Sequence, residues 1–359
     1  MMGRDWHEYV GNLHVHSVYS DGTLTHEGIA EAAWGGGLDF VVVTDHNVYV
    51  AELDGYRYFS DGAVLLLTGE EIHDQRRDPQ KNHLLVYEAR TELAPLASDP
   101  QALLEAVASA GGLAFLAHII DPESTAFGEP DLSWVNWELS GYTGVEIWNF
   151  MSEFKGLLTS VPRALFYAYQ ADRVAHGPFP EATRIWEELL TAGERVVAIG
   201  GADAHGFESR YGPLRRVLFP YEFLFRAVNT HVLTSEPLTG DVELDRRRLF
   251  HSIRRGNCFV GYDLPAPSHG FRFSALGDSG RAIMGDEIRL EIGVTLQIHL
   301  PQRADFQLIR GHDPVGNWRG AQSAVYVATE PGAYRVQADI YFRGGPRRWI
   351  VSNPIYVLP

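Results

Sequence analysis

Short apolar runs that end on an imidazole or a carboxylate recur through the first two thirds of the chain, and they constrain its fold more than any other feature. Phe40-Val41-Val42-Val43-Thr44 runs into Asp45-His46, and residues 64–68 run through Gly69 into Glu70-Glu71. Residues 113–117 lead into His118, and residues 196–199 lead through Gly200-Gly201-Ala202 into Asp203-Ala204-His205. Runs of four or five residues rich in Val, Leu and Ile read as buried strands. Between them lie helical patterns. Residues 25–36 have Thr25 as N-cap, residues 100–110 are closed by Gly111-Gly112, and residues 180–192 have Gly193 just past their end. Residues 84–87 and 144–148 supply two further strands. Helices alternating with buried strands predict an α/β fold with a mainly parallel sheet. In a (β/α) barrel the carboxyl ends of the strands share one rim, where active sites are built. The polar groups here follow their apolar runs. His83 departs from that rule by preceding Leu84-Leu85-Val86-Tyr87, as it would on an antiparallel strand.

The segment 12–22 reads N-L-H-V-H-S-V-Y-S-D-G. Residues i and i+2 of a strand share a face, so His14 and His16 can reach one metal ion. Asp21 sits in a Ser-Asp-Gly turn, from which its carboxylate can reach a neighbouring ion.

At 359 residues the chain has room for one large domain and a smaller one. Its 46 acidic and 30 basic residues, a net charge of −16, argue against nucleic acid as the main partner. Cys258 is the sole cysteine, which excludes an internal disulfide and a thiolate zinc site. No run of 18 uncharged apolar residues predicts a membrane span, and no apolar leader follows Met1, so a cytoplasmic location is expected. Nothing in the sequence sets the oligomeric state. Around Pro265, Pro267 and Gly270 the helical pattern stops. Short strands at 271–275, 288–300, 306–310, 325–329, 334–342 and 349–357 predict a small all-β sandwich over residues 263–359, after a barrel over residues 1–262. Trp134, Trp137 and Trp148 admit two readings, a pocket for a flat substrate and ordinary aromatic packing, of which packing is favoured. His73 stands where it could reach the rim, and Glu146 could equally line the pocket, join a salt bridge or support a ligand from behind. His7, His26, His176, His231, His251, His269, His299 and His312 read as surface or structural.

Collected in order, the candidate ligands are His14, His16, Asp21, His46, Glu71, His83, His118, Asp203 and His205. One divalent ion takes roughly four to six nitrogen and oxygen ligands, so this set suits two to three ions. With no thiolate among them, zinc, manganese and iron all fit. Adjacent ions suit hydrolysis, because they acidify a bridging water and polarise the scissile centre.

The runs H-V-H-S-V-Y-S-D-G, V-V-V-T-D-H-N, L-L-T-G-E-E-I, N-H-L-L-V-Y, A-F-L-A-H and G-G-A-D-A-H resemble, in order, the metal motifs of the PHP (polymerase and histidinol phosphatase) family. The resemblance spans about residues 8–260 and implies a distorted (β/α)7 barrel with up to three metals at its C-terminal rim. It selects Glu71 over Glu70 as bridging carboxylate. It places His14, His16, Glu71 and Asp203 on one ion, Glu71, His83 and His118 on a second, and Asp21, His46 and His205 on a third. Residues 185–205 and 349–357 are similar to the carbaryl-hydrolase-like (CehA/McbA-type) branch. The resulting expectation is a metal-dependent hydrolase of a small-molecule phosphoester, attacked by a metal-bridging hydroxide. Arg210 would contact the phosphate, and His205 or Asp45 would assist proton transfer. Asp45 could otherwise orient an imidazole or serve as a weak alternative ligand. Hydrolysis of a carbamate or carboxylic ester is the alternative, and a non-catalytic metal-binding protein is a third class.

Overall fold

The computed structural model describes residues 6–211 and 214–359, without the side chains of residues 209–215. The chain folds in the order β1 (His7–Asn12), α1 (His26–Gly36), β2 (Phe40–Val43), β3 (Gly55–Phe59), β4 (Gly62–Thr68), β5 (Glu70–Ile72), β6 (Leu84–Tyr87), α2 (Pro100–Ser109), β7 (Leu113–Leu116) and β8 (Gly144–Asn149). Next come α3 (Phe150–Leu157), α4 (Val161–Tyr169), α5 (Pro180–Thr191), β9 (Val197–Gly201), β10 (Phe207–Tyr211), β11 (Leu214–Leu218), α6 (Tyr221–Phe225), β12 (Val228–Thr234), α7 (Val242–Arg255) and β13 (Cys258–Tyr262). The rest is strand and loop: β14 (Arg272–Gly277), β15 (Gly280–Ile283), β16 (Glu287–Arg289), β17 (Val294–Arg310), β18 (Asp313–Ala328), β19 (Gly332–Phe342), β20 (Gly345–Ser352) and β21 (Ile355–Leu358).

The helices begin and end where local chemistry dictates. Thr25 accepts a hydrogen bond from Gly28 N at the start of α1, and Gly37 closes it at φ 83°. Asp99 caps α2 in the same way through Ala102 N.

Strands β1, β2 and β4 are parallel neighbours. One residue, Gly69, separates β4 from β5, and β5 opens a second sheet in the order β5-β6-β7-β8-β9. In that sheet β6 is antiparallel to both neighbours, while β7, β8 and β9 run parallel. The antiparallel β6 is the physical reason His83 stands before its apolar run. Beyond β9 the chain returns to the segment after β1 through a Val15–Ala204 bridge, where His16 N donates to Ala204 O at 2.9 Å. Similar single bonds, Thr44 N to Val15 O and Asn47 N to Glu71 O, knit the strand ends beside the candidate site.

Apolar side chains fill both faces of these strands. Phe40, Phe115, Trp148 and Trp186 are fully buried, each worth roughly 1.5–3 kcal/mol or more of transfer free energy. Two close approaches require glycine. A Cβ at Gly11 would lie 2.2 Å from the Phe40 ring, and one at Gly144 would lie 2.0 Å from Val197 O. Trp134 and Trp148 are core residues, and Trp137 packs against that core, which agrees with the packing reading.

The C-terminal strands differ from expectation. The run expected at 288–300 breaks after Arg289, and its remainder fuses with 306–310 into the single 17-residue β17. The fusion passes through Pro301, at an irregularity of register between His299 and Ala304, where a missing N–H costs no ladder bond. The run expected at 349–357 is cut into β20 and β21 by Asn353-Pro354. The strands after Tyr262 also continue the first sheet, because β13 pairs with β20 through Phe259–Ser352, Val260–Val351 and Gly261–Ile350. Asn353 reinforces that join. Its side chain accepts from Ala198 N and donates to Ala198 O, both at 2.8 Å, and to Cys258 O at 3.0 Å. None of the helices among the described residues is long and apolar enough to cross a membrane.

Candidate metal centre

Glu71 lies at the middle of the candidate residues, fully buried on β5. Its Oε2 stands 3.0 Å from His14 Nε2, 3.1 Å from His16 Nε2 and 3.1 Å from His46 Nδ1. Its Oε1 stands 2.8 Å from His83 Nδ1 and 3.0 Å from His118 Nε2. Asp203 Oδ1 adds a second carboxylate, 3.3 Å from His14 Nε2 and 3.1 Å from His16 Nε2. Asp21 is half exposed on its turn, with Oδ1 3.1 Å from His205 Nε2 and 3.9 Å from His46 Nε2. Four groups of converging donors result here: His14, His16, Glu71 and Asp203; Glu71, His83 and His118; His16, Asp21, His46 and His205; and His46, His73 and His83. All nine sequence candidates are therefore brought together.

The hydrogen bonds around the cluster determine which ring nitrogens carry protons. Carbonyl and carboxylate oxygens only accept. His14 Nδ1–H therefore donates to Glu146 Oε1 (3.0 Å), His83 Nε2–H to Gln80 O (2.7 Å) and His205 Nδ1–H to Asp203 O (2.8 Å). The other nitrogen of each of the three also faces a carboxylate oxygen, His14 Nε2 and His83 Nδ1 at Glu71 and His205 Nε2 at Asp21, so each such contact needs a proton or a metal ion between its two atoms. Two acceptors at about 3 Å repel unless a cation lies between them. Three more inward-facing atoms, His16 Nε2, His46 Nδ1 and Asp203 Oδ1, are buried without a hydrogen-bond partner. Such orphans are costly, and a bound cation would satisfy them.

Charge follows the same geometry. Burial opposes ionisation of Glu71 and Asp203, yet the surrounding imidazoles hold both carboxyls well below their usual range. Asp21 is drawn down to about 2, against its partial burial, by His205, His16 and His46. Burial lowers His16 and His118, but the nearby carboxylates outweigh it and raise both to about 9. His46 is driven well below its usual value by burial.

The backbone holds the site under constraint. Asn47, His118 and Asp203 have φ of 53°, 26° and 56°, a region that costs a non-glycine residue about 1–3 kcal/mol and clusters at functional sites. The Tyr221 hydroxyl lies 2.7 Å from His16 O and 2.8 Å from His205 O, clasping two rim segments. Gly22 packs so closely that a Cβ would stand 2.1 Å from His16 O.

Asp45 requires a correction. Its carboxylate accepts from Ser17 N, Ser17 Oγ and Ser20 Oγ at 2.6–2.7 Å and touches no imidazole. It fastens the loop that carries Asp21, with Ser20 Oγ lying 3.4 Å from His16 Nδ1 between them. The geometry gives it no direct part in proton transfer. The side chain of Arg210 lies outside the described residues. Glu146 supports the ligands rather than lining the pocket. It orients His14, accepts from His118 N at 2.8 Å and holds Asn149, which reaches Asp203 Oδ2 at 3.3 Å. The available signal was an ionisable residue within the apolar run Val145-Glu146-Ile147-Trp148. His73 stacks on His83 at 4.2 Å and meets His46 edge-on, and burial lowers it to about 4.

No protein-family profile matches the sequence, and no curated protein matches it. Among solved structures the chain is similar to a two-domain protein from Bacteroides vulgatus containing a predicted PHP-like metal-dependent phosphoesterase. Identity is 16% over 97% of this chain and 95% of that one, with a TM-score of 0.47. It is also similar to a proposed metal-dependent phosphoesterase from Bifidobacterium adolescentis, at 17% identity over 57% of this chain and 91% of that one, with a TM-score of 0.33.

Proposed function

We propose that the chain is a metal-dependent hydrolase of small-molecule phosphoesters, built on a distorted seven-strand barrel of the PHP type with a C-terminal β domain. The observation that carries this reading is the convergence of His14, His83 and His205 nitrogens on the oxygens of Glu71 and Asp21, together with the buried orphan atoms among them. The donor set fits two to three divalent ions, all through nitrogen and oxygen. His14, His16, Glu71 and Asp203 would hold one, Glu71, His83 and His118 a second, and Asp21, His46 and His205 the third. When bound, such ions supply a nucleophilic hydroxide at neutral pH and stabilise charge on the scissile group.

The chain's own residues contribute position. Glu71 presents one oxygen to each of two ligand sets, which fixes their spacing. Glu146 holds His14 in the tautomer whose Nε2 faces inward. Asp21 and His205 form the open side, since Asp21 is half exposed, so substrate would enter there. The carbamate or carboxylic ester alternative draws no support from Trp134 or Trp148, both of which are buried in the core.

Metal analysis of purified protein tests the first part. Fewer than one equivalent per chain would overturn the multinuclear centre. A panel of aryl phosphates, phosphodiesters and aryl carbamates, run on wild type and His16→Ala, tests the second. Turnover of phosphates that is lost in the variant is expected, and carbamate turnover alone would replace the phosphoesterase reading.

A further inference from the structure

A groove of about 610 Å³ runs against the charge of the whole chain. Arg195, Arg254, Arg255 and Arg281 line it, with Asp286 and Glu287 as the acidic residues and Tyr356 as its aromatic wall. Four guanidinium groups against two carboxylates leave a local surplus of positive charge, in a chain of net charge −16. We propose that this groove binds a compact multivalent phosphate-type anion, at a site separate from the metal centre.

The pairing inside the groove supports an unfilled demand for negative charge. Arg255 pairs with Asp286 at 2.7 Å, and Arg195 pairs with Glu287 while lying over the Tyr356 ring, 4.4 Å from its centroid. Among the described residues the Arg254 side chain donates only to the carbonyls of Gly111 and Gly112, at 2.6 and 3.1 Å. Arg281 has neither ion pair nor hydrogen bond among the described residues. The two arginines at the C-terminus of α7 also suit that helix's negative end. That accounts for Arg254 and Arg255, but not for Arg195 or Arg281, which come from other elements.

The groove is preorganised. Gly285, at φ 86°, packs so tightly that a Cβ would stand 2.0 Å from Arg255 O, and Asn257 Nδ2 donates to Met284 O at 2.6 Å. These contacts fix β15 and the following turn against α7, so the guanidinium groups stay near one another without a ligand. Planar guanidinium forks match phosphate oxygens in geometry as well as charge. The acidic balance of the remaining chain disfavours a long polyanion, which would have to run beyond the groove. Arg195 precedes β9, whereas Asp203 and His205 follow its other end, so the five-residue strand keeps the two sites about 16 Å apart.

Isothermal titration of the full chain with inorganic phosphate, at fixed ionic strength, tests this. Saturable binding is expected in His16→Ala, and Arg281→Glu in that background should weaken it about tenfold. Arg281→Ala should weaken it less, and because Arg281 is exposed on β15, circular dichroism should show both variants folded. Absence of saturable binding in His16→Ala below about 10 mM phosphate would overturn the proposal. So would binding that Arg281→Glu and Arg281→Ala both leave unchanged.

Discussion

Replacing Glu146 by Gln changes one atom and should disable a residue it does not resemble. Glu146 accepts three hydrogen bonds, from His14 Nδ1 at 3.0 Å, His118 N at 2.8 Å and Asn149 Nδ2 at 3.0 Å. Glutamine has one carbonyl oxygen to offer. If that oxygen faces His118 N and Asn149, two bonds survive and the new NH₂ faces His14 Nδ1. If it faces His14, one bond survives and the NH₂ meets two donors. The first arrangement retains more bonding, and it forces His14 to accept at Nδ1 and carry its proton on Nε2. A protonated Nε2 cannot bind a metal ion. Loss of such an orienting partner costs about 10–100-fold in metal affinity, or about 1.4–2.7 kcal/mol. Competition against a chromophoric chelator measures it directly, with circular dichroism to show that the variant is folded. Metal affinity within about threefold of wild type would refute the tautomer argument, whatever happened to activity.

Three further outcomes are expected. Chelator-treated protein should lose thermal stability as pH rises. His16 and His118 are raised to about 9 in the metal-free site, so their contribution is full below about 6.5 and disappears as pH passes 9; the metal-loaded form should be flatter over that range in calorimetry. Away from the site, His231 is raised to about 9 despite its burial, by Asp263 and Glu8, and Asp263 is lowered to about 2, chiefly by His231. That pair should stabilise fully between about pH 4 and 6.5, fading upward through 9 and downward through 2; His231→Gln should cost about 3 kcal/mol at pH 6 in urea titrations and flatten the profile. Gly144→Ala should destabilise by about 3 kcal/mol or more, because Val197 O occupies the Cβ position; a melting temperature equal to wild type would show that β8 and β9 can part.

The candidate site was legible in the sequence because each ligand is attached to a local signal. An imidazole or carboxylate at the end of a Val- and Leu-rich run needs no tertiary information to be noticed. The opposite holds for Glu146 and Asp45. Both are single acids beside apolar runs, and what separates them is which donors arrive from elsewhere: His14 and His118 for one, Ser17 and Ser20 for the other. Among the elements that went unread, β3, β12 and α7 lie where polar residues interrupt the pattern. Asn229, Thr230 and His231 on β12 are buried because each finds a distant partner in Asn12, Gly200 or Glu8. The merging of two expected strands into β17 depends on an irregular register with β18, a pairing that composition cannot reveal.

Asn353 gives the order of synthesis a physical meaning. All nine candidate ligands are translated by residue 205, yet the strand that positions Asp203 and His205 takes hydrogen bonds from a side chain nearly 150 residues later. Until β20 lies along β13, β9 lacks that anchor and β13 presents an open edge. In a growing chain the metal centre is therefore finished from behind, by residues that never approach it.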